Sequence, residues 1–175
     1  WFWELETAPS WYKPAYKFVN ELWAPTRFIE QMLRNDSPHN VHVEYMPLPL
    51  RTPRVVETAR RTNLGLDDRF MFLFTFDFMS VAKRKNPMGL VEAFKKAFAP
   101  GEGPQLVLKC INGETRPEKF DALQRAAEGR DDITIMNRYL DSDMSAALMN
   151  LCDCYVSLHR SEGLGLTIAE AMLLG

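Results

Sequence analysis

The chain has 175 residues, of which 46% are hydrophobic and 25% are charged, a balance typical of soluble globular proteins. This length suffices for one domain or for parts of two. The formal net charge of -2 gives no electrostatic reason to expect nucleic acid or an anionic membrane as the partner. The longest apolar runs, such as 70–74, are far shorter than the roughly 20 residues of a membrane-spanning helix.

The first 46 residues are dense in Trp and Pro and predict a strand, a helix and a second strand. The stretch FVNELWA at 18–24 predicts a strand, and 25–35 predicts a helix with Pro25 near its first turn. The alternating stretch VHVEYM at 41–46 predicts the second strand. We interpret residues 1–46 as the C-terminal part of one domain.

A proline-rich stretch separates this region from the rest of the chain. Three prolines within 47–53 indicate a stiff, extended linker. The next stretch, 55–65, predicts a helix that closes on Gly65. We therefore expect a second domain to occupy residues 54–175.

From position 69 onwards, predicted strands and helices alternate four times with short loops between them. The predicted strands cover 69–77, 105–111, 132–137 and 154–159, and the predicted helices cover 86–98, 116–129, 141–153 and 166–174. The alternation indicates an α/β domain with a Rossmann-like, doubly wound parallel sheet. Since such a sheet usually continues with further strands, we expect the chain to end inside its domain. On its own it should then be inactive and poorly stable, with an apolar sheet edge exposed.

The loop between the last predicted strand and the last helix, RSEGLG at 160–165, is the strongest functional signal. In open α/β sheets, ligands bind at the carboxyl ends of the strands. Glycines let the backbone approach a ligand, and a helix N-terminus favours a phosphate group. Glu162 and Glu170 flank this loop, and carboxylates suit sugar hydroxyls rather than phosphate. A diphosphate between two sugars, as in a nucleotide sugar, needs both kinds of group.

Plainer interpretations of the same residues stay open at this point. Residues 167–170 also fit a capping box, in which Glu170 only closes the start of the helix. Glu162 also fits a solvated loop residue, and His159 a structural histidine that closes its strand. The basic cluster at 83–85 equally fits a solvated loop before a helix.

The stretch EGLGLTIAE at 162–170 resembles the E-x7-E signature of the glycosyl transferases group 1 family, also called family 4 glycosyltransferases. Residues 84–98 resemble the first helix of that family's nucleotide-binding domain, and 1–12 and 21–29 resemble the end of its N-terminal domain. The resemblance implies a GT-B fold of two facing Rossmann-like domains, with the donor bound mainly by the second. It also implies sugar transfer with retention from a nucleotide-sugar donor, UDP- or GDP-linked, to a glycan or lipid acceptor, without a cofactor.

The resemblance also implies roles for individual residues. Glu170 would bind the ribose hydroxyls, and Glu162 would contact the donor sugar and stabilise the developing oxocarbenium charge. Lys85, together with Arg84, would neutralise the leaving diphosphate. The further donor-binding candidates are Gly163, Leu164, Gly165, Leu166 and Thr167 around the loop, Ser80, His159, and Arg138, Tyr139 and Leu140 after the third strand. Ser80 stands where many members of the family have an arginine, so the implied cation set departs from the family pattern here. Arg138, Tyr139 and Leu140 equally fit structural packing.

Three further expectations concern metal, redox state and location. No Asp-x-Asp lies in a suitable loop, and DSD at 141–143 fits helix capping better, so we expect no metal. The three cysteines lie in or beside apolar stretches and indicate buried free thiols in a reducing compartment, hence the cytoplasm. Any peripheral membrane association would involve parts outside this chain.

Two alternative functions remain at this stage. A non-catalytic Rossmann-like module would use Glu170 as a helix cap, and the departure at Ser80 would suit it. Another enzyme of the same two-domain fold, such as a sugar-nucleotide epimerase, would share the glycine loop.

Overall fold

A computed structural model describes residues 4–175, apart from the side chain of Ala82. Residues 1–3, which open the tryptophan-rich stretch at 1–12, lie outside the described residues. The contacts divide the chain into two units, one comprising Trp1–Leu50 with Ser161–Leu166 and the other Arg51–Arg160 with Thr167–Gly175.

The first unit contains a small parallel sheet covered by one helix. Its elements are a 3-10 helix at Ser10–Phe18, strand β1 at Glu21–Ala24, helix α1 at Arg27–Asp36 and strand β2 at His42–Tyr45. The two strands pair in parallel, as a strand–helix–strand connection requires. Apolar residues that alternate along β1 pack against the inner face of α1, with Leu22, Ile29 and Leu33 in the core. The predicted order of elements is confirmed, but β1 starts later than predicted because Phe18 still belongs to the 3-10 helix.

The second unit is built on a four-stranded sheet in which every strand pair is parallel. The strands are β3 at Met71–Asp77, β4 at Gln105–Ile111, β5 at Ile133–Asn137 and β6 at Cys154–Tyr155, in the spatial order β5-β4-β3-β6. The helices between and after them are α2 at Ala82–Lys85, α3 at Pro87–Ala97, α4 at Pro117–Ala127, α5 at Ser142–Leu151 and α6 at Leu166–Leu174. The predicted Rossmann-like parallel sheet is confirmed.

Both faces of this sheet are buried, which explains why β3 is apolar at almost every position. Phe74 and Phe76 pack on one face with Leu90 and Val91 of α3. Leu73 packs in a separate apolar cluster, which includes residues of β4 and α5. A strand covered on both sides reads as a continuous apolar run, as in parallel sheets generally.

Two further predicted elements are wrong in extent. The helix predicted over 55–65 is a single 3-10 turn at Arg61–Leu64, closed by Gly65 with a φ of 75°. Arg60 has extended backbone, and its N–H donates to the Asn63 side chain at 2.8 Å. Because of this hydrogen bond, the turn begins only after Arg60. The strand predicted over 154–159 pairs with β3 only through Cys154–Tyr155, with one more backbone bond from Val156 to Leu73.

Candidate functional site

The strand order creates a topological switch point between β3 and β6. The chain moves from β3 outward through β4 to β5, and then returns to the other side of β3 as β6. Ligands of open α/β sheets bind at the carboxyl ends of strands at such a point. Ser80, Arg84 and Lys85 follow β3, and His159 follows β6. These predicted site residues therefore lie in the segments that follow the two strands at the switch point.

A tight turn after β3 fixes Ser80. The Asp77 carboxylate accepts hydrogen bonds from the Met79 N–H and from the Asn112 side chain, both at 2.8 Å. The Ser80 N–H donates to the Asp77 carbonyl at 3.0 Å. Aspartate at the start of a turn commonly bonds backbone two residues on, and Asp77 therefore sets the position of Ser80.

The basic cluster forms one helical turn rather than a loop. The N–H groups of Arg84 and Lys85 both donate to the Val81 carbonyl. The Arg84 carbonyl accepts from the Arg160 N–H at 2.9 Å, and the Arg160 guanidinium reaches the Asn86 side chain at 3.3 Å. These bonds tie the half-buried cations Arg84 and Lys85 to the segment that follows β6.

His159 is held by packing as well as by a hydrogen bond. Its ring lies edge-on to Phe74, with 5.5 Å between ring centroids. Its Nδ1 atom is 2.8 Å from the Ser157 hydroxyl. Both contacts fix the histidine in the segment that follows β6, and they fit a residue that orients this segment.

The glycine loop at Ser161–Leu166 belongs to the first unit. Gly163 and Gly165 are buried, and Gly165 has a φ of 73°, a left-handed conformation that favours glycine. The Gly163 N–H donates to the Glu162 carboxylate at 3.3 Å. The Gly163 carbonyl accepts from the Thr26 hydroxyl at 3.2 Å. Leu164 is half-buried and Leu166 is 49% exposed.

Helix α6 begins at Leu166, so Thr167 is inside the helix and not at its N-cap, the position that a capping box requires. Instead, Thr167 hydrogen-bonds the Tyr155 hydroxyl, which also lies 2.8 Å from the Thr75 hydroxyl. Burial raises the pKa of Tyr155 above its ordinary value. The chain of three hydroxyls joins α6 to β3 and β6 in the second unit.

Glu170 lines a cavity of about 350 Å³ in the second unit. The other lining residues are Arg51, Thr52, Pro53, Arg54, Ser142, Asp143, Ser145, Ala146 and Met149. The sequence did not point to the two arginines, since they belong to the predicted linker and its flank. Residues of the first turns of α5 contribute hydroxyls, and Asp141 caps this helix by accepting from the Met144 N–H at 2.7 Å. The capping interpretation of 141–143 is thus confirmed for Asp141.

The three candidates after β5 lie in different surroundings. Arg138 donates to the Leu64 carbonyl at 3.2 Å. Tyr139 is 81% exposed. Leu140 packs against the apolar cluster around Leu73, and its carbonyl accepts from Ser145. Tyr139 therefore exposes its side chain to a ligand, whereas Leu140 is a packing residue.

In the described range 4–175, no group of three or more His, Cys, Asp or Glu is placed to hold a metal ion. No helix in that range has the length and apolar character needed to cross a membrane. The three cysteines are free; Cys110 is buried, and Cys152 and Cys154 are half-buried. Burial raises the pKa of the Cys110 thiol to about 12.

A family model described as "Glycosyl transferases group 1" matches residues 63–175. Among solved structures, the chain is similar to sucrose-phosphate synthase from Thermosynechococcus elongatus, with a TM-score of 0.69 and 20% identity over 90% of this chain and 40% of that one. It is similar to trehalose-6-phosphate synthase, with a TM-score of 0.64 and 10% identity over 89% of this chain and 42% of that one. It is also similar to HepE from Anabaena in complex with UDP-glucose, with a TM-score of 0.61 and 17% identity over 91% of this chain and 44% of that one.

The chain thus spans less than half the length of each of these three structures. At these identities the likeness establishes the fold. No curated protein sequence matches the chain.

Proposed function

Because the chain belongs to the glycosyl transferases group 1 family, we propose that it is the donor-binding part of an enzyme that transfers a sugar from a nucleotide sugar to an acceptor. The observation that carries this proposal is the placement of Glu170 in a cavity of about 350 Å³, within the ~300–1,000 Å³ range of small-molecule sites. Hydroxyl and guanidinium groups line the same cavity. The two guanidinium groups suit the phosphates of a nucleotide, and the Asp143 and Glu170 carboxylates suit its hydroxyls.

Each candidate residue then has a distinct task. Glu170 accepts hydrogen bonds from the ribose hydroxyls, and Glu162 contacts the transferred sugar. The backbone amides of 164–166 bind the diphosphate and sugar hydroxyls, while the Gly163 N–H donates to the Glu162 carboxylate. Lys85 and Arg84 neutralise the charge that grows on the diphosphate as the glycosidic bond breaks, a form of electrostatic stabilisation that does not require a metal ion.

Ser80, Thr167 and His159 complete this donor site in the proposal. A serine at position 80 supplies a hydroxyl where many members of the family have a guanidinium. Arg84, four residues later, then supplies the second positive charge beside Lys85. Thr167 and His159 support the site indirectly, since both are engaged with neighbouring hydroxyls at the end of β6.

The donor is UDP- or GDP-linked in this proposal, and Tyr139, with its exposed ring, meets the base. The complex of HepE with UDP-glucose supports the first choice. Residues 1–46 then belong to the acceptor-side domain, 47–53 to a linker and 54–175 to the donor domain, with a glycan or lipid acceptor. We further propose a cytoplasmic enzyme that retains the anomeric configuration, which NMR of the product would test directly.

Calorimetric titration of the intact protein with UDP, GDP and ADP tests the donor site. We expect one nucleotide to bind, and Glu170→Ala and Lys85→Ala each to weaken it about 10- to 100-fold, as the loss of a charged hydrogen bond does. Glu92→Ala and Lys96→Ala, at exposed positions of α3, are the matched controls and should bind normally. If the folded protein bound none of the three nucleotides, the proposal would fail in favour of a non-catalytic module.

A further inference from the structure

Both backbone polar groups of Gly163 are hydrogen-bonded within the first unit. Its N–H donates to the Glu162 carboxylate at 3.3 Å, and its carbonyl accepts from the Thr26 hydroxyl at 3.2 Å. We infer that Thr26, 137 residues earlier in the chain, is a positioning residue for the glycine loop. The inference rests on the proposed function of that loop in donor binding.

The local structure around Thr26 fixes its hydroxyl. Strand β1 ends at Ala24, and Ala24 and Pro25 are both buried. Thr26 follows with extended backbone, at φ -136° and ψ 157°, as the N-cap of α1. Its oxygen accepts from the Ile29 N–H at 3.2 Å. The hydroxyl has a single hydrogen, which is therefore available for the Gly163 carbonyl.

A bond from outside the loop adds restraint to it, because two of the loop residues are glycines. Gly163 and Gly165 have no side chains to pack, and glycine loses more conformational freedom on ordering than any other residue. Gly163 is buried, and a buried carbonyl without a donor carries a desolvation penalty. The bond from Thr26 satisfies that carbonyl and fixes the peptide between Gly163 and Leu164.

This placement matters for the proposed chemistry. Amides that stabilise a diphosphate are effective when they are already in position before the charge develops. An ordered loop also avoids the entropic cost of ordering it when the ligand binds. Thr26 therefore acts on donor binding through Gly163, without any contact of its own with the donor.

Three substitutions separate the two tasks of Thr26. Thr26→Ser keeps both the cap and the donor hydrogen. Thr26→Asp keeps the cap, since aspartate is among the best N-cap residues, but has no hydrogen for the carbonyl. Thr26→Val keeps the shape and loses both. The intact protein carrying each change is compared by thermal unfolding, by hydrogen exchange of the amides at 163–166, and by titration with UDP, GDP and ADP.

We expect Thr26→Asp to unfold at a temperature between those of the wild type and Thr26→Val, because it keeps the cap but leaves the Gly163 carbonyl without its donor. It should exchange its loop amides faster and bind the nucleotide about fivefold more weakly, the factor that one net hydrogen bond contributes. Thr26→Ser should match the wild type in all three measurements. Thr26→Val should lose both stability and affinity. Loop exchange and affinity in Thr26→Asp that equal those of the wild type would overturn the positioning role.

The failure of the proposed function would look different. In that case the wild type would bind no nucleotide, or Glu170→Ala would bind as tightly as the wild type. The hydrogen-exchange result would still decide whether Thr26 orders the loop. A normal affinity in Thr26→Asp beside a weakened Glu170→Ala variant refutes only the role of Thr26 in donor binding.

Discussion

The substitution Gly165→Ala tests the backbone of the glycine loop. Gly165 has a φ of 73°, and an L-residue in the left-handed region costs about 1–2 kcal/mol because its Cβ approaches the next carbonyl. We therefore expect the free energy of unfolding to fall by about 1–2 kcal/mol in urea titrations. If alanine instead forces the loop into another conformation, its amides move and nucleotide affinity falls.

Gly129→Ala is a matched control for that substitution. Gly129 has a φ of 74°, and an added Cβ there would meet no heavy atom within 4 Å. It follows α4, a helix that carries none of the predicted site residues. We expect the same loss of stability from Gly129→Ala, with nucleotide affinity unchanged.

The comparison can refute the reasoning in two ways. If Gly165→Ala were as stable as the wild type while Gly129→Ala was not, the left-handed conformation at 165 would be wrong. If hydrogen exchange showed that Gly165→Ala displaces the loop amides while the nucleotide still bound normally, the loop amides would not take part in donor binding.

Two further predictions concern the scaffold of the second unit. The ion pair of Asp132 and Arg130 is buried, with side chains 1% and 6% exposed and 2.6 Å between the charged groups. Asp132→Asn breaks this pair and should lower the free energy of unfolding in urea by about 3–5 kcal/mol. Arg130 lowers the pKa of Asp132 in the folded state. The stability that the pair contributes is therefore present above the unfolded pKa of ~3.9 and is lost as the pH falls through the folded pKa. If the free energy of unfolding of the wild type fell no more than that of Asp132→Asn between pH 7 and acid pH, this reasoning would be contradicted. Tyr155→Phe removes the hydroxyl between Thr75 and Thr167 and should lower stability by about 1–2 kcal/mol. If Tyr155→Phe unfolded at the same urea concentration as the wild type, this hydroxyl chain would not hold α6 in place.

Local patterns in the sequence predicted the number and order of the strands in the second unit, but not the length of β6. The predicted bounds of β4 and α6 coincide with those in the structure, because a strand buried on both faces and a short apolar helix each leave a clear signature. The helix predicted over 55–65 is correct at its end, Gly65, but wrong at its start. The start depends on the extended backbone of Arg60 and its hydrogen bond to Asn63, which the sequence pattern does not show. A stop signal alone does not set where a helix starts.

The candidate site divides in the same way. Glu162, Glu170 and the glycines form one short stretch, and the sequence predicts them as site residues through that stretch and its resemblance to the family. Arg51 and Arg54 line the cavity with Glu170 but lie more than a hundred residues earlier, where the prolines nearby indicated only a linker. Thr26 was visible as part of a helix start, yet no sequence pattern relates it to Gly163.

The position of β6 in the sheet also bears on how the protein is made. β6 pairs with β3, and the hydroxyls of Thr75 and Tyr155 that meet there are 80 residues apart in the chain. Contacts between distant residues form late, since the entropy of closing the intervening loop must be offset first. During synthesis β3, β4 and β5 emerge before β6, so a partly made chain holds three neighbouring strands of the sheet without its switch point. The proposed binding residues after β6 therefore gain their places last, and synthesis interrupted before β6 would leave the other three strands without the ligand site.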